Sequence, residues 1–124
     1  MGDRKRVLIV DDEPDILKTV IFRLKKAGYQ VITARDGKTA LELAREERPD
    51  LILLDVRLPV MDGCDVCQSL KSDDNFKKIP VIFLTASVAD KIADKTKASG
   101  ANDYIIKPFE PEELLDKVKN ILDK

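Results

Sequence analysis

Four short apolar runs in this chain each end at a side chain suited to phosphoryl chemistry. The four junctions are residues 7–10 with Asp11 and Asp12, 51–54 with Asp55, 81–84 with Thr85, and 104–106 with Lys107. If the runs are parallel strands of one sheet, their carboxyl ends lie side by side, where ligands usually bind in an open α/β sheet. Three carboxylates, one hydroxyl and one ammonium would then converge on one crevice.

Helical patterns alternate with the apolar runs, which predicts βαβ units around a parallel sheet with five strands and five helices. The predicted strands are residues 6–10, 29–34, 51–54, 81–84 and 104–106. The predicted helices begin near Pro14, after a capping Asp36, near residues 64 and 88, and at Pro111. The alternating run 29–34 indicates an edge strand, and right-handed crossovers would place helices on both faces of the sheet.

The last two predicted helices differ in their apolar stripes. The fifth helix has a regular stripe of Leu114, Leu115, Val118, Ile121 and Leu122. The fourth, residues 88–99, has a weaker stripe of Ile92, Ala93 and Thr96. We therefore expect the fourth helix to be the least firmly held.

Length and composition limit the class of protein. The 124 residues predict one domain, 1–124, and a formal net charge of −1 provides no strongly basic face for direct nucleic-acid binding. No apolar run approaches the roughly 20 residues of a membrane span. We therefore expect a cytoplasmic protein without a membrane or nucleic-acid partner. The sequence has no histidine, which excludes a Ser-His-Asp or Cys-His catalytic site within this chain.

The two cysteines form the segment Cys64-Asp65-Val66-Cys67. This spacing occurs in redox motifs, but the segment has a helical pattern, and cysteines commonly serve as small apolar side chains. Two thiols cannot complete a four-ligand zinc site. We interpret the pair as packing residues.

The acidic residues at the strand ends point to a divalent cation. Asp11, Asp12 and Asp55 would repel one another, which raises the pKa of at least one carboxyl unless a cation is present. Oxygen-only ligands suit Mg²⁺. Beside such an ion, Asp55 can act as a nucleophile that takes a phosphoryl group as an acyl phosphate. Thr85 and Lys107 could then donate to the oxygens of that group.

At these residues the chain resembles the receiver domain of bacterial response regulators, the family of the chemotaxis response regulator. The matching motifs are Val7-Leu8-Ile9-Val10-Asp11-Asp12-Glu13-Pro14, Leu54-Asp55 with Pro59 and Met61-Asp62-Gly63, Leu84-Thr85-Ala86, and Tyr104-Ile105-Ile106-Lys107-Pro108-Phe109. The resemblance implies a single flavodoxin-like, doubly wound α/β domain with strand order 2-1-3-4-5. It also implies a cis peptide bond between Lys107 and Pro108.

The resemblance further implies a role for each site residue. Asp55 would accept a phosphoryl group from a phosphohistidine on a sensor histidine kinase or phosphotransfer protein. Mg²⁺ would be held by Asp12, Asp55 and the backbone carbonyl of Arg57, with Asp11 acting mainly through water. Lys107 would pair with the phosphoryl group.

In the same comparison, Thr85 would move toward the phosphoryl group and Tyr104 would swing between outward and inward positions. The alternative for Tyr104 is a half-exposed aromatic side chain at a strand end. The altered surface would consist of helix four, strand five and helix five, and it would control a downstream effector protein or a fused output domain. The chain would be a monomer or a weak, phosphorylation-dependent dimer.

Two residues near the site set this chain apart. Arg57 places a long cation two residues after the acceptor, where it could weaken Mg²⁺ binding or alter the lifetime of the phosphorylated state. Ser87, two residues after Thr85, is small and would leave the acceptor open to attacking water. We expect moderate rather than very slow self-dephosphorylation.

Three other functions remain as alternatives. A haloacid-dehalogenase-type hydrolase would carry a second aspartate two residues after its nucleophile, where this chain has Arg57. A flavodoxin-like cofactor carrier would need a phosphate-binding loop after Val10, and none is evident. A vestigial receiver that acts as a phosphorylation-independent interaction module is disfavoured because all five site residues are present.

Overall fold

Five parallel strands form the centre of the structure, as the alternating pattern predicts. The computed structural model describes residues 4–86 and 92–123. The strands are β1 Arg6–Val10, β2 Gln30–Ala34, β3 Leu51–Asp55, β4 Val81–Thr85 and β5 Asp103–Ile106. The helices are α1 Pro14–Lys26, α2 Gly37–Glu47, α3 Gly63–Lys71, α4 Ile92–Ser99 and α5 Pro111–Leu122.

The strand order is β2-β1-β3-β4-β5, which confirms the order implied by the resemblance. All four strand pairs are parallel, and β2 occupies an edge as its alternating pattern predicts. The register pairs Val10 with Leu54 and Thr85 with Ile106. The carboxyl ends of β1, β3, β4 and β5 therefore lie next to one another.

Helices cover both faces of the sheet, and each face has its own apolar core. On one face, alternate strand residues such as Ile9 and Leu53 pack with α1 and α5. On the other face, residues such as Leu54 and Phe83 pack with α2, α3 and α4. Every side chain of β3 and β4 is buried, because a central parallel strand is covered on both sides.

Local sequence signals set the helix starts. Pro14 and Pro111 occupy first-turn positions of α1 and α5, where a missing N–H costs nothing. Asp36 caps α2 as predicted, since its Oδ1 accepts a hydrogen bond from the Thr39 N–H at 2.8 Å. Asp62 caps α3 in the same way through the Asp65 N–H.

The apolar stripe of α4 differs from the prediction. Ala93 is exposed, whereas Ile92, Thr96 and Ser99 are buried, so the predicted role of Ala93 was wrong. The buried positions are spaced at four and three residues, and Ala93 lies one residue off that line. The predicted start of this helix at residue 88 lies outside the described residues. Near the end of α5, Ile121 and Leu122 are only partly buried.

A search for membrane spans found none. Within the described part of the chain, no helix combines the length and the apolar character that crossing a membrane requires.

Candidate functional site

The carboxylates at the ends of β1 and β3 meet in the structure. Asp11 follows the last residue of β1, and Asp55 is the last residue of β3. Oxygen atoms of Asp11, Asp12 and Asp55 lie within 4.8 Å of one another. Asp11 and Asp55 are buried, whereas Asp12 is exposed. The sequence prediction that these three side chains converge is therefore confirmed.

The ammonium of Lys107 lies among carboxylates from both strand ends. Its Nζ is 2.8 Å from Asp11 Oδ2, 3.0 Å from Asp55 Oδ2 and 3.0 Å from Glu13 Oε1. Burial alone would lower the pKa of Lys107, but hydrogen bonds and ion pairs with these three carboxylates outweigh it and raise the pKa. The lysine is therefore held in its charged form.

Asp55 has a partner at each carboxylate oxygen. Oδ1 accepts a hydrogen bond from the Arg57 N–H at 3.0 Å, and Oδ2 accepts one from Lys107 Nζ. Burial nevertheless raises the pKa of Asp55, because the loss of solvation outweighs these partners. The repulsion predicted from the sequence contributes through Asp11 but is the smaller cause.

The buried oxygens of Asp11 test whether a cation fits this site. Oδ1 accepts the Glu13 N–H at 2.9 Å, whereas Oδ2 has the Lys107 ion pair but no hydrogen bond of normal geometry within the described residues. One ammonium thus serves three clustered carboxylates and Glu13. Hard oxygen ligands with excess negative charge suit Mg²⁺, so the residues present fit this ion.

The loop between β3 and α3 forms one wall of the site. Its backbone begins with the Arg57 N–H that binds Asp55, while the Arg57 side chain is exposed. An open cleft next to the acidic cluster is lined by Asp12, Arg57 and Lys95, among others. A small anion or a hydrated cation can enter from this side.

Thr85 and Tyr104 lie on the two strands beyond Asp55. Thr85 is the buried last residue of β4, next to β3 in the sheet. Tyr104 lies on β5, is half-buried and packs against the core on the α4 side. The structure thus places Thr85 at the crevice and Tyr104 one strand further on. Ser87 lies outside the described residues.

Glu13 is a site residue that the sequence reasoning did not single out. It directly precedes α1, and its side chain, which is more than half exposed, reaches Lys107. The signal available was a third consecutive acid after β1. It was not decisive, because an acid before a helix is also a common favourable neighbour of the helix N-terminus.

The Lys107–Pro108 peptide bond is cis, as the resemblance implies. The cysteine pair also matches its predicted packing role. Cys67 is buried in the core, and its Sγ lies 3.3 Å from the Ser99 carbonyl oxygen. Burial raises the pKa of this thiol to about 11, which disfavours redox chemistry at neutral pH.

Comparison with known proteins identifies the class to which this site belongs. The chain belongs to the response regulator receiver domain family, whose model matches residues 7–119. Receiver domains are phosphorylation-activated switches of two-component signalling and not metabolic enzymes, and they bind Mg²⁺ in their acidic site.

Particular relatives extend this assignment. The probable transcriptional regulator ycf27 of Guillardia theta is 44% identical over 121 residues, which cover 96% of this chain and 46% of that protein. The chain spans about half the length of the curated relatives it matches.

Solved structures match over nearly their whole length. The chemotaxis response regulator CheY4 of Vibrio cholerae is 37% identical with a TM-score of 0.89, covering 96% of this chain and 99% of that one. The receiver domain of sensor histidine kinase PA1611 from Pseudomonas aeruginosa PAO1 is 31% identical with a TM-score of 0.89, covering 98% and 99%. That structure has a magnesium ion coordinated in its active site cleft.

Proposed function

We propose that Asp55 accepts a phosphoryl group from a phosphohistidine of a sensor histidine kinase or phosphotransfer protein. The observation that carries this proposal is the Asp55 carboxylate, which lies at the end of β3 between the Lys107 ammonium and the acidic cluster. A carboxylate oxygen attacks phosphorus and forms an O–P bond while the N–P bond breaks. The electron pair of that bond returns to the imidazole nitrogen, which takes a proton.

We assign the ion-binding role to Asp12, Asp55 and the backbone carbonyl of Arg57, with Asp11 acting through water. A bound Mg²⁺ neutralises negative charge and lets a phosphoryl group approach carboxylates that would otherwise repel it. The ammonium of Lys107 already contacts Asp55 Oδ2, so it is within reach of a phosphoryl group formed there. In this account Lys107 exchanges part of its carboxylate contacts for phosphoryl oxygens.

Thr85 and Tyr104 would pass the change to the surface formed by α4, β5 and α5. The Thr85 hydroxyl would donate to a phosphoryl oxygen, and Tyr104 would turn inward as Thr85 moves. The support is their position on successive strands, with Thr85 buried at the crevice and Tyr104 half-buried beyond it. New phosphoryl contacts then shift the population of an existing alternative state.

The output would be a downstream effector protein or a fused output domain. Several longer relatives are named transcriptional regulators, which supports a role upstream of gene control. We propose that residues 1–124 form one receiver domain that acts in the cytoplasm and does not itself contact nucleic acid. It would be a monomer or a weak dimer that depends on phosphorylation.

The exposed Arg57 side chain would set how this copy of the site behaves. It lines the cleft with Asp12, so its charge opposes a cation there and attracts an incoming phosphoryl donor. We propose moderate self-dephosphorylation rather than a very slow reaction. Replacing Arg57 with alanine, at saturating Mg²⁺, separates the effect on ion affinity from the effect on phosphoryl lifetime.

Mass spectrometry of the intact protein tests the proposal. The chain is incubated with Mg²⁺ and a small acyl phosphate, alongside Asp55→Asn and the exposed α5 variant Asp116→Asn as a matched control. We expect a phosphoryl adduct on the unmutated chain and on Asp116→Asn, none on Asp55→Asn, and none when Mg²⁺ is chelated. The absence of an adduct on the unmutated chain would refute phosphoacceptor function and favour a phosphorylation-independent interaction module.

A further inference from the structure

The loop from residue 56 to residue 62 is held at both ends by close approaches to glycine. At its base, a methyl group on Gly63 would overlap the Asp55 carbonyl oxygen and lie 2.9 Å from the Val56 Cα. At its tip, a methyl group on Gly37 would overlap the Met61 carbonyl oxygen and lie 2.7 Å from the Met61 carbonyl carbon. Only glycine allows these backbones to approach so closely.

The tip of the loop has a strained conformation. Val60 has a φ of 70°, and the Met61 N–H donates to the Pro59 carbonyl oxygen at 2.8 Å, which are features of a classic γ-turn. Such a turn is costly for a β-branched residue and persists only where the surroundings over-determine it. The Gly37 N–H approaches the same Pro59 oxygen at 3.4 Å.

The first turn of α2 supplies a firm support for this tip. Gly37 is buried, and the preceding Asp36 caps the helix through both the N–H and the hydroxyl of Thr39. On the other side of the tip, the chain leads back to Arg57, whose N–H donates to Asp55 Oδ1. A continuous path of backbone contacts thus joins the start of α2 to the acceptor carboxylate.

We propose that Gly37 is a positioning residue for the acceptor site. By letting the Met61 backbone rest on α2, it fixes the loop that presents the Arg57 backbone beside Asp55. This inference rests on the proposed function, because it assigns the Arg57 carbonyl to Mg²⁺ binding. A side chain at residue 37 would push the tip away from α2 and displace residues 57–61.

The test is a Mg²⁺ titration followed by amide NMR of the full chain. Gly37→Ala is compared with Lys38→Ala, which adds the same side chain at the next, exposed position of α2. We expect Gly37→Ala to shift the amides of residues 57–61 before any Mg²⁺ is added. Its Mg²⁺ affinity should fall by about 10- to 100-fold, the range for lost support of a metal ligand. Lys38→Ala should bind Mg²⁺ like the unmutated chain.

Each outcome separates the two proposals. If the unmutated chain shows no Mg²⁺-dependent shifts, the proposed function is wrong. If that chain binds Mg²⁺ and Gly37→Ala binds it equally well, only the positioning role is wrong, even when the variant melts at a lower temperature. If Gly37→Ala does not fold, Asp36→Ala decides, since it loosens the same helical turn without overlap. A severalfold loss of Mg²⁺ affinity in Asp36→Ala supports the inference, and unchanged affinity overturns it.

Discussion

The two sides of Asp55 are built differently. We call residues 11–13 and 55–63 the metal side, and Thr85 with α4 and β5 the readout side. On the metal side, carboxylates bind the backbone within two residues, through Asp11 with the Glu13 N–H and Asp55 with the Arg57 N–H. Two glycines also seat the loop against fixed backbone. This side can hold charges at set distances.

The readout side is held more loosely within the described residues. Of the three buried side chains of α4, only Ile92 is apolar, and Thr96 donates its hydroxyl to the Ile92 carbonyl oxygen. In contrast, α1 buries three large apolar side chains, Leu17, Val20 and Leu24. An element with few apolar contacts is the cheaper one to shift. The difference teaches that a rigid acceptor is joined to a yielding reporter.

The largest effect is expected on the metal side, from Gly63→Ala. The added methyl group would overlap the Asp55 carbonyl oxygen, so we expect a loss of about 3 kcal/mol in the free energy of unfolding. Urea denaturation measures this loss. The exposed α3 variant Gln68→Ala is the control and should change stability by less than about 0.5 kcal/mol. Equal stabilities for the two variants would show that the loop base is not tightly seated.

On the readout side, Ile92→Ala should cost less and act locally. Removing this buried side chain should lower the free energy of unfolding by about 2 kcal/mol, the low end for such changes. Amide hydrogen exchange should accelerate most in residues 92–99 and much less in residues 17–24 of α1. The conservative Ile92→Val should lie between the two proteins. Uniform acceleration throughout all helices would contradict the claim that α4 opens independently.

A smaller effect of opposite sign is expected for Asp55→Asn without Mg²⁺. The folded-state pKa of Asp55 is raised by burial, so its ionisation costs stability as the pH rises above the ordinary carboxyl range. We expect the variant to be about 1 kcal/mol more stable at pH 7. The gain should disappear at acid pH, where Asp55 is protonated in both states. Thermal unfolding across this pH range measures the difference, and a gain that grows toward acid pH would have the wrong sign.

Most of the fold followed from the sequence because local signals agreed with one another. The continuous apolar runs 51–54 and 81–84 predicted central strands, and the register places their carboxyl ends together. The convergence of Asp11, Asp12, Asp55 and Lys107 followed from that topology alone. Asp36 was predictable as a cap because its side chain needs only the next helical turn.

The remaining features depend on contacts between distant segments. The seat of Met61 on Gly37 joins two loops with no shared sequence signal, and the γ-turn at Val60 contradicts the usual preference of a β-branched residue. The contact of Glu13 with Lys107 spans nearly the whole chain. Ala93 was misplaced because a short amphipathic pattern does not fix which of two adjacent residues faces the core.

The central claim is that phosphorylation at a rigid acceptor alters the yielding side of the site. Amide hydrogen exchange of the full chain, with and without a steady supply of acyl phosphate and Mg²⁺, tests it most directly. The account predicts altered exchange in residues 92–106 and unchanged exchange in residues 17–24, with neither change in Asp55→Asn. An adduct on Asp55 that leaves exchange in residues 92–106 unaltered would contradict it.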